Sequence, residues 1–457
     1  MIKFLPKATT PARSMPRLYE AEAYDTAHWP DSHWRATAPP APDCPALTSS
    51  ARADIAIIGA GYAGLNAALE LAEGFGRDVA VLEAGQPGWG ASGRNGGFVC
   101  AGSSKLSDRA IRARVGAAGA QAFADFQAAS VARVAHNLTR YGIDADKGPE
   151  GELALAHSPR AWTRMQAAPL DPGARLLPPD ALREAGLYAP RFHGGVLEPL
   201  GFSIHPLKYA LGLAQAAHSA GVRTYGNSAV RDLTPQGDGW LLRTDHGTLR
   251  AGKVLIATNG YTDERLPPWL ARRVLPVLSN ILVTRPLSPA EQSAQGWTSR
   301  VMAYDTRRLL HYFRLLPCGR FLFGARGGFS ARPSALKEFE ATARAEFEIL
   351  FPGFAAARTE RSWSGLVCLT GSLAPYAGSV PGADGLHAAL GWHGNGVAAA
   401  SEAGRRMAAL MAEGRQTLPA LLRQAPPRIP LPRRAMLRAG MAVLRGLDGP
   451  VARIKQA

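Results

Sequence analysis

Short apolar runs alternate with segments of helical periodicity along most of the chain, and the first such pair is the clearest. Asp54-Ile-Ala-Ile-Ile58 is apolar on both sides of an extended chain, as a strand buried within a sheet requires. Gly59-Ala-Gly61-Tyr-Ala-Gly64 follows, and Leu65, Ala68, Leu69 and Ala72 then recur at helical spacing until Gly74 and Gly76 stop the pattern. Asp78-Val-Ala-Val-Leu82 predicts a second strand with Glu83 at its end, which completes one βαβ unit. Residues 36–53, rich in Pro, Ala and Ser without periodicity, predict an extended lead-in.

Downstream the pattern changes. Residues 108–190 alternate helical patterns, such as Val115 to Tyr141, with proline-rich turns and carry no glycine fingerprint, which predicts an inserted cap. A helix opening at Pro206 carries Leu207, Ala210, Leu211 and Ala214 on one face, and Lys253-Val-Leu-Ile-Ala257 returns as a buried strand. Ser279 to Thr284, Leu309 to Leu315 and Arg320 to Gly324 predict a mixed sheet, and the segment from Trp363 to about Glu413 ends in a glycine-led helix. The layout is two interleaved, discontinuous domains. Residues 1–50 form a lead-in; 51–107, 200–275 and 360–418 a nucleotide-binding domain; 108–199 and 276–359 a substrate or cap domain; and 419–457 a basic tail.

A dinucleotide pyrophosphate needs a tight turn free of side chains and a helix N-terminus aimed at it, which Gly59, Gly61 and Gly64 supply directly after a strand. Glu83 then stands where it can accept hydrogen bonds from ribose hydroxyls. This unit alone does not separate FAD from NAD. In Gly88-Trp-Gly-Ala-Ser92-Gly-Arg94-Asn95-Gly96-Gly97, glycines and small polar groups let backbone N–H groups approach a second phosphate or a flavin ring.

Composition narrows the classes further. A chain of 457 residues, 46% apolar and 19% charged, suits two packed domains. Cys44, Cys100, Cys318 and Cys368 form no CxxC pair, which argues against a zinc knuckle or a disulfide framework and fits reduced thiols in a cytoplasm. The start, MIKFLPKATTPARSMPRLYEAEAYD, lacks the apolar core of a signal peptide, and no later stretch is long and apolar enough to span a membrane. The net charge of +16 comes mostly from arginine, with no nucleic-acid-binding signature beside it, so no nucleic-acid partner is expected.

Residues 54–97 resemble the D-amino-acid oxidase superfamily of FAD-dependent oxidoreductases, in which the second glycine segment runs beside the flavin. The resemblance narrows to the branch that includes gamma-glutamylputrescine oxidoreductases. It is carried by His33-Trp34-Arg-Ala-Thr37, His205-Pro-Leu-Lys-Tyr209, Ala257-Thr258-Asn259-Gly260-Tyr261-Thr262 and Asp305-Thr-Arg-Arg308. Trp363-Ser-Gly365-Leu-Val-Cys-Leu-Thr370 and Gly391-Trp392-His393-Gly394-Asn395-Gly396-Val397 complete it. The implied fold class is α/β (α+β overall), with a Rossmann-like FAD-binding domain of the glutathione-reductase type interleaved with a mixed-sheet substrate domain. The implied reaction is oxidation of an amine or amino acid to an imine by hydride transfer to flavin N5, with oxygen or another electron acceptor taking the electrons. Gamma-glutamylputrescine-like, N-alkyl and cyclic amino acids are the substrates in view.

The cofactor-binding set implied is Gly59, Gly61, Tyr62, Ala63, Gly64, Glu83 and Ala84, then Gly90, Ala91, Ser92, Arg94, Asn95, Gly96 and Gly97. Val230, Thr258, Asn259, Gly260, Trp363, Gly394, Asn395, Gly396 and Val397 join it. Because an amine must be neutral to give up a hydride, an apolar aromatic pocket is needed, and Trp89, Tyr312, Phe313, Trp363 and Trp392 are candidate walls. Arg314 and Arg326 are candidates to hold a substrate carboxylate, and His393 to touch substrate. Monomeric sarcosine oxidases of the superfamily attach FAD through a cysteine that aligns with Gly365, so non-covalent FAD is expected here. They also place a lysine over the flavin where Leu322 stands, which predicts slow reaction with oxygen unless Arg320 or Arg326 supplies the charge. No metal is expected. Two alternatives to a cytoplasmic enzyme stay open: a peripheral membrane dehydrogenase, suggested by the basic tail, that passes electrons to a quinone, and a flavin-binding scaffold.

Overall fold

A computed structural model of the chain describes residues 17–448. Both the segment read as too polar for a signal peptide, up to Pro16, and the end of the basic tail, with Arg453 and Lys455, lie outside the described residues. Two mixed sheets with helices between and around them form an α/β architecture.

In the first sheet, Ser50–Ile58 lies between Thr248–Ile256 and Val79–Leu82 and is parallel to both. Ile58 pairs with Ile256 on one side and with Leu82 on the other, so the three strands end level and Gly59, Glu83 and Ala257 emerge along one edge. Every residue of the helix Tyr62–Leu69 is buried, which explains why its small and apolar residues run all round it. It crosses the helix Gly396–Glu413 so closely that a Cβ on Gly404 would stand 2.2 Å from the Ala63 carbonyl oxygen.

The second sheet runs in the order Thr359–Thr370, Val274–Pro286, Arg320–Gly328, Tyr312–Leu315, Met302–Asp305, Glu150–Leu155, Gly195–Ser203 and Phe98–Val99. Its strands alternate by face. Leu153, Leu155, Ala303, Phe313, Phe321, Phe323 and Ala325 pack on one side with Phe339, Ala343 and Phe347 of the helix Pro333–Leu350. The opposite positions Glu152, Tyr304, Tyr312 and Arg326 line a cavity between the two sheets.

Several boundaries differ from the sequence reading. Thr359–Thr370, placed from sequence in the nucleotide-binding part, pairs along its length with Val274–Pro286 in the other sheet. The strand expected over Leu309 to Leu315 is confined to Tyr312–Leu315, because the preceding residues turn about the buried Asp305 carboxylate, which accepts from the backbone N–H groups of Arg307 and His311. The helix expected from Val115 runs over Asp108–Arg140 and is broken at Gly116, whose φ of 72° favours glycine.

The tail helix Arg433–Asp448 rests on the protein's own surface. Leu437 and Met441 are buried with Tyr19, Val277, Leu278 and Leu366, while Met436, Val443 and Leu447 remain exposed on its outer side. At its start the buried Arg433 donates to the Glu264 carboxylate at 2.5 Å and to the Val274 carbonyl at 3.1 Å. Arg433→Ala strips this buried carboxylate of its charged partner and is expected to destabilise the fold by about 3 kcal/mol. Denaturant unfolding checks it: an unchanged midpoint would show that the tail carries no part of the stability.

Candidate active site

A cavity of about 640 Å³ opens along the edge where the first sheet's strands end and continues beneath the second sheet. At one end the wall is mostly backbone. Gly59 takes φ 108°, and a Cβ there would come within 3.0 Å of the Ala257 carbonyl oxygen, so only glycine turns the chain this tightly. Gly61 caps the helix Tyr62–Leu69 without a side-chain hydrogen bond, which leaves that helix's N-terminus facing the cavity. Glu83 and Ala84 form the adjoining wall; the Glu83 carboxylate accepts from the N–H of Ala60 at 2.7 Å and of Gly85 at 3.0 Å. Burial raises its pKa, while these backbone donors oppose the shift.

The second glycine segment is held from outside. The Arg94 carbonyl accepts from Trp363 Nε1 at 2.9 Å, the Asn95 carbonyl from Trp34 Nε1 at 2.8 Å, and the Gly96 carbonyl from Arg314 Nε at 3.0 Å. Since a trans peptide sets C=O and N–H on opposite sides, the N–H groups of Asn95 and Gly96 turn the other way. Gly90, Ala91, Ser92, Arg94, Asn95 and Gly96 all line the cavity, as do Tyr62, Ala63, Val230, Thr258 and Asn259. The Tyr62 hydroxyl ties the segment down, its one proton lying within reach of the Ser92 carbonyl at 2.7 Å and the Pro206 carbonyl at 2.9 Å. Gly394, Asn395, Gly396 and Val397 bring in a second helix N-terminus, and Asn395 spends its side-chain amide on the Ala101 and Gly102 carbonyls instead of capping the helix.

Beneath the second sheet the wall becomes aromatic and charged. Trp89, Tyr312 and Trp392 line it. The Tyr312 ring lies between Gly96 and Gly324, where a Cβ would come within 2.8 and 2.1 Å of it, and its hydroxyl bonds Ser279 at 3.0 Å. Arg326 enters from the same strand as Gly324; its Nε has no hydrogen-bond partner, and burial lowers its pKa. Cys100, Lys105, Glu152 and Tyr304 complete this end, and the sequence reading missed all four. Glu152 left one signal, an acid inside the apolar run Glu-Leu-Ala-Leu; Lys105 lies in a loop with no periodicity to place it.

Other predicted residues stand behind the wall. Arg314, a candidate carboxylate ligand, is buried and spends its guanidinium on the Gly96 and Ile204 carbonyls, so it clamps the glycine segment instead. His393, a candidate for substrate contact, is wholly buried with Nε2 on Thr370 Oγ1 at 3.2 Å, and burial with the nearby Lys105 and Arg326 charges pushes its pKa down to about 3. Trp363 acts through the Arg94 carbonyl. Gly64, Gly97 and Gly260 serve close packing: a Cβ would meet the Gly59 carbonyl oxygen at 2.0 Å, the Ile204 carbonyl oxygen at 2.0 Å and Leu366 at 3.2 Å, respectively. Phe313 points into the opposite core. Leu322, expected over the flavin, is packed among Trp34, Leu207, Leu211 and Trp363, and Arg320 pairs with Glu360 at 2.9 Å, so neither reaches the cavity.

Comparison with known proteins agrees with this geometry. The profile of the family described as "DAO: FAD dependent oxidoreductase" matches residues 54–410. The chain belongs to this family. Gamma-glutamylputrescine oxidoreductase of Escherichia coli (strain K12) is 32% identical over 378 residues, covering 80% of this chain and 85% of that protein. A protein named probable oxidoreductase OrdL of Rhizobium meliloti (strain 1021) is 31% identical over 404 residues, covering 86% and 90%. Among solved structures, glycine oxidase from Geobacillus kaustophilus superposes with a TM-score of 0.64 at 26% identity, over 80% of this chain and 96% of that one.

The residues present fit FAD: two helix N-termini that lack a capping side chain of their own, the first with only its Tyr62 N–H taken up by Ser92 Oγ at 3.1 Å, and the inward N–H groups suit its phosphates, and Glu83 suits a ribose. Glu83→Ala removes a charged acceptor and two backbone hydrogen bonds of the turn, so FAD affinity is expected to fall about 10- to 100-fold. Titrating apoprotein with FAD measures this; an unchanged dissociation constant would mean that Glu83 does not contact the cofactor.

Proposed function

We propose that this chain oxidises the carbon–nitrogen bond of an amine that carries a carboxylate, as an amino acid or N-substituted amino acid does. The observation that supports this most is Arg326, a half-buried residue in the cavity wall whose buried Nε lacks a partner, with Lys105 in the same wall. A buried cation without a counter-ion is costly, and a bidentate carboxylate satisfies it. The names of two relatives, a gamma-glutamylputrescine oxidoreductase and a glycine oxidase, support an amine or amino acid as substrate.

In this reading the substrate carbon gives up a hydride and the nitrogen lone pair forms the C=N bond, leaving a protonated imine that water hydrolyses. FAD supplies the acceptor for that hydride, and oxygen or another carrier then takes the two electrons. The residues prepare the substrate. An amine of pKa about 10 must lose a proton first, which costs about 4 kcal/mol at pH 7. The positive field of Lys105 and Arg326 disfavours the ammonium, as do the aromatic walls Tyr312 and Trp392. The cofactor is proposed to be held without a covalent bond, because Gly365 carries no thiol and burial pushes the Cys368 thiol up to about 12.

Anaerobic mixing with N-alkyl amino acids, cyclic amino acids, gamma-glutamyl amines and simple polyamines tests the reading. Carboxylate-bearing amines are expected to bleach the flavin band and polyamines to leave it unchanged, with the flavin released on acid precipitation. Bleaching by polyamines alone would overturn the carboxylate assignment, and flavin retained in the pellet would overturn non-covalent binding.

A further inference from the structure

Of the acids that line the cavity, Glu152 is the one that stands beside Lys105 and Cys100. In Gly151-Glu-Leu-Ala-Leu155 the alternation of the strand sends Leu153 and Leu155 into the core beneath the helix Pro333–Leu350 and leaves Glu152 facing the cavity. Glu152 pairs with Met302 on one neighbouring strand and with Glu198 on the other, so its position is set by the register of three strands. Cys100, Lys105, Tyr304 and Arg326 converge on the same space from other segments. The Cys100 thiol stands beside the Glu152 carboxylate and favours its charged form. A thiol is a weak donor, and a carboxylate has about four lone-pair sites, so most of its accepting capacity is left for the cavity. Among the described residues, neither Glu152, Lys105 nor Arg326 has an ion-pair partner.

We propose that Glu152 reads a second nitrogen of the substrate, an ammonium or amide N–H group remote from the carbon being oxidised, and so sets specificity among carboxylate-bearing amines. The proposal rests on the carboxylate reading above. Lys105 and Arg326 repel a substrate that is cationic throughout, and Glu152 supplies the counter-charge that lets one further cationic group enter beside the carboxylate. Withdrawal from solvent into the cavity raises Glu152 to about 7, with Cys100, Tyr304, Glu198, Lys105 and Arg326 the other titratable or charged groups around it. Below about 7 Glu152 gains a proton and loses its attraction for a cation. Discrimination in favour of a second ammonium is therefore lost as pH falls through about 7.

The test uses the holoenzyme and Glu152→Gln, with two matched amino-acid substrates that differ only in a remote amino group, present in one and replaced by hydrogen in the other. Anaerobic stopped-flow reduction gives an apparent dissociation constant and a limiting rate for each. The wild type is expected to bind the two-nitrogen compound about tenfold or more tightly, and Glu152→Gln to lose that preference while both limiting rates stay within about twofold. The pH dependence of the preference near 7 is expected to vanish in the variant. An equal drop in limiting rate for both compounds would instead make Glu152 a general base, and an unchanged preference would overturn the proposal outright. Should neither compound reduce the flavin, the oxidation reading fails. Binding of the same two compounds, read from the flavin spectrum and thermal unfolding, then still decides the role of Glu152, because a preference untouched by the substitution would exclude it.

Discussion

Three successive carbonyls, those of Arg94, Asn95 and Gly96, each accept a hydrogen bond from a buried side chain, and the donors Trp363, Trp34 and Arg314 come from distant parts of the chain. Much of the site depends on this arrangement. A glycine-rich segment has many conformations open to it, and only the fixing of its carbonyls on one side keeps its N–H groups on the other. Two of the donors sit on strands of the second sheet and the third in the lead-in, so the cradle exists only when both sheets and the lead-in have come together. The short helix His33–Thr37 is therefore part of the site despite touching no cavity, with Thr37 Oγ1 bonded to His205 and the Trp34 ring edge-on to it.

The division of labour between the sheets follows from their geometry. Parallel strands that end level present turns and helix N-termini along one edge, which suits phosphates and needs few side chains. The antiparallel strands of the second sheet alternate faces, so each offers every other side chain to the cavity while the rest build an aromatic core around Phe313, Phe321, Phe323 and Phe347. That core fixes the register, and a slip of one residue would exchange Glu152 for Leu153 and Arg326 for Ala325. The packing of the phenylalanine cluster thus determines which charges face the cavity.

The glycine-lined end of the cavity was largely legible in the sequence because its requirements are local: a strand, a turn without Cβ atoms, a helix and an acid at fixed spacing. The substrate end was not, because it is built from single residues on separate strands whose facing depends on register. Arg326 was recoverable as an arginine on a strand, yet Arg314 looked the same and is consumed by backbone carbonyls, a use that leaves no periodic trace. His393 stood beside a glycine turn that does line the cavity, but its own φ of 53° and its bond to Thr370 turn the imidazole away. Leu322 shows the limit of matching by position: it lies on the cavity side of its strand, but Trp34 and Trp363 cover it.

Arg326 is proposed to receive a carboxylate, and binding of an unreactive carboxylic acid tests this without any need for turnover. Titrating the holoenzyme with a small aromatic or aliphatic acid and following the flavin absorbance gives the dissociation constant for wild type and for Arg326→Met. Loss of a buried charged partner is expected to raise it about 100-fold, with FAD affinity preserved. Equal affinity in the two proteins would contradict the assignment of the carboxylate site.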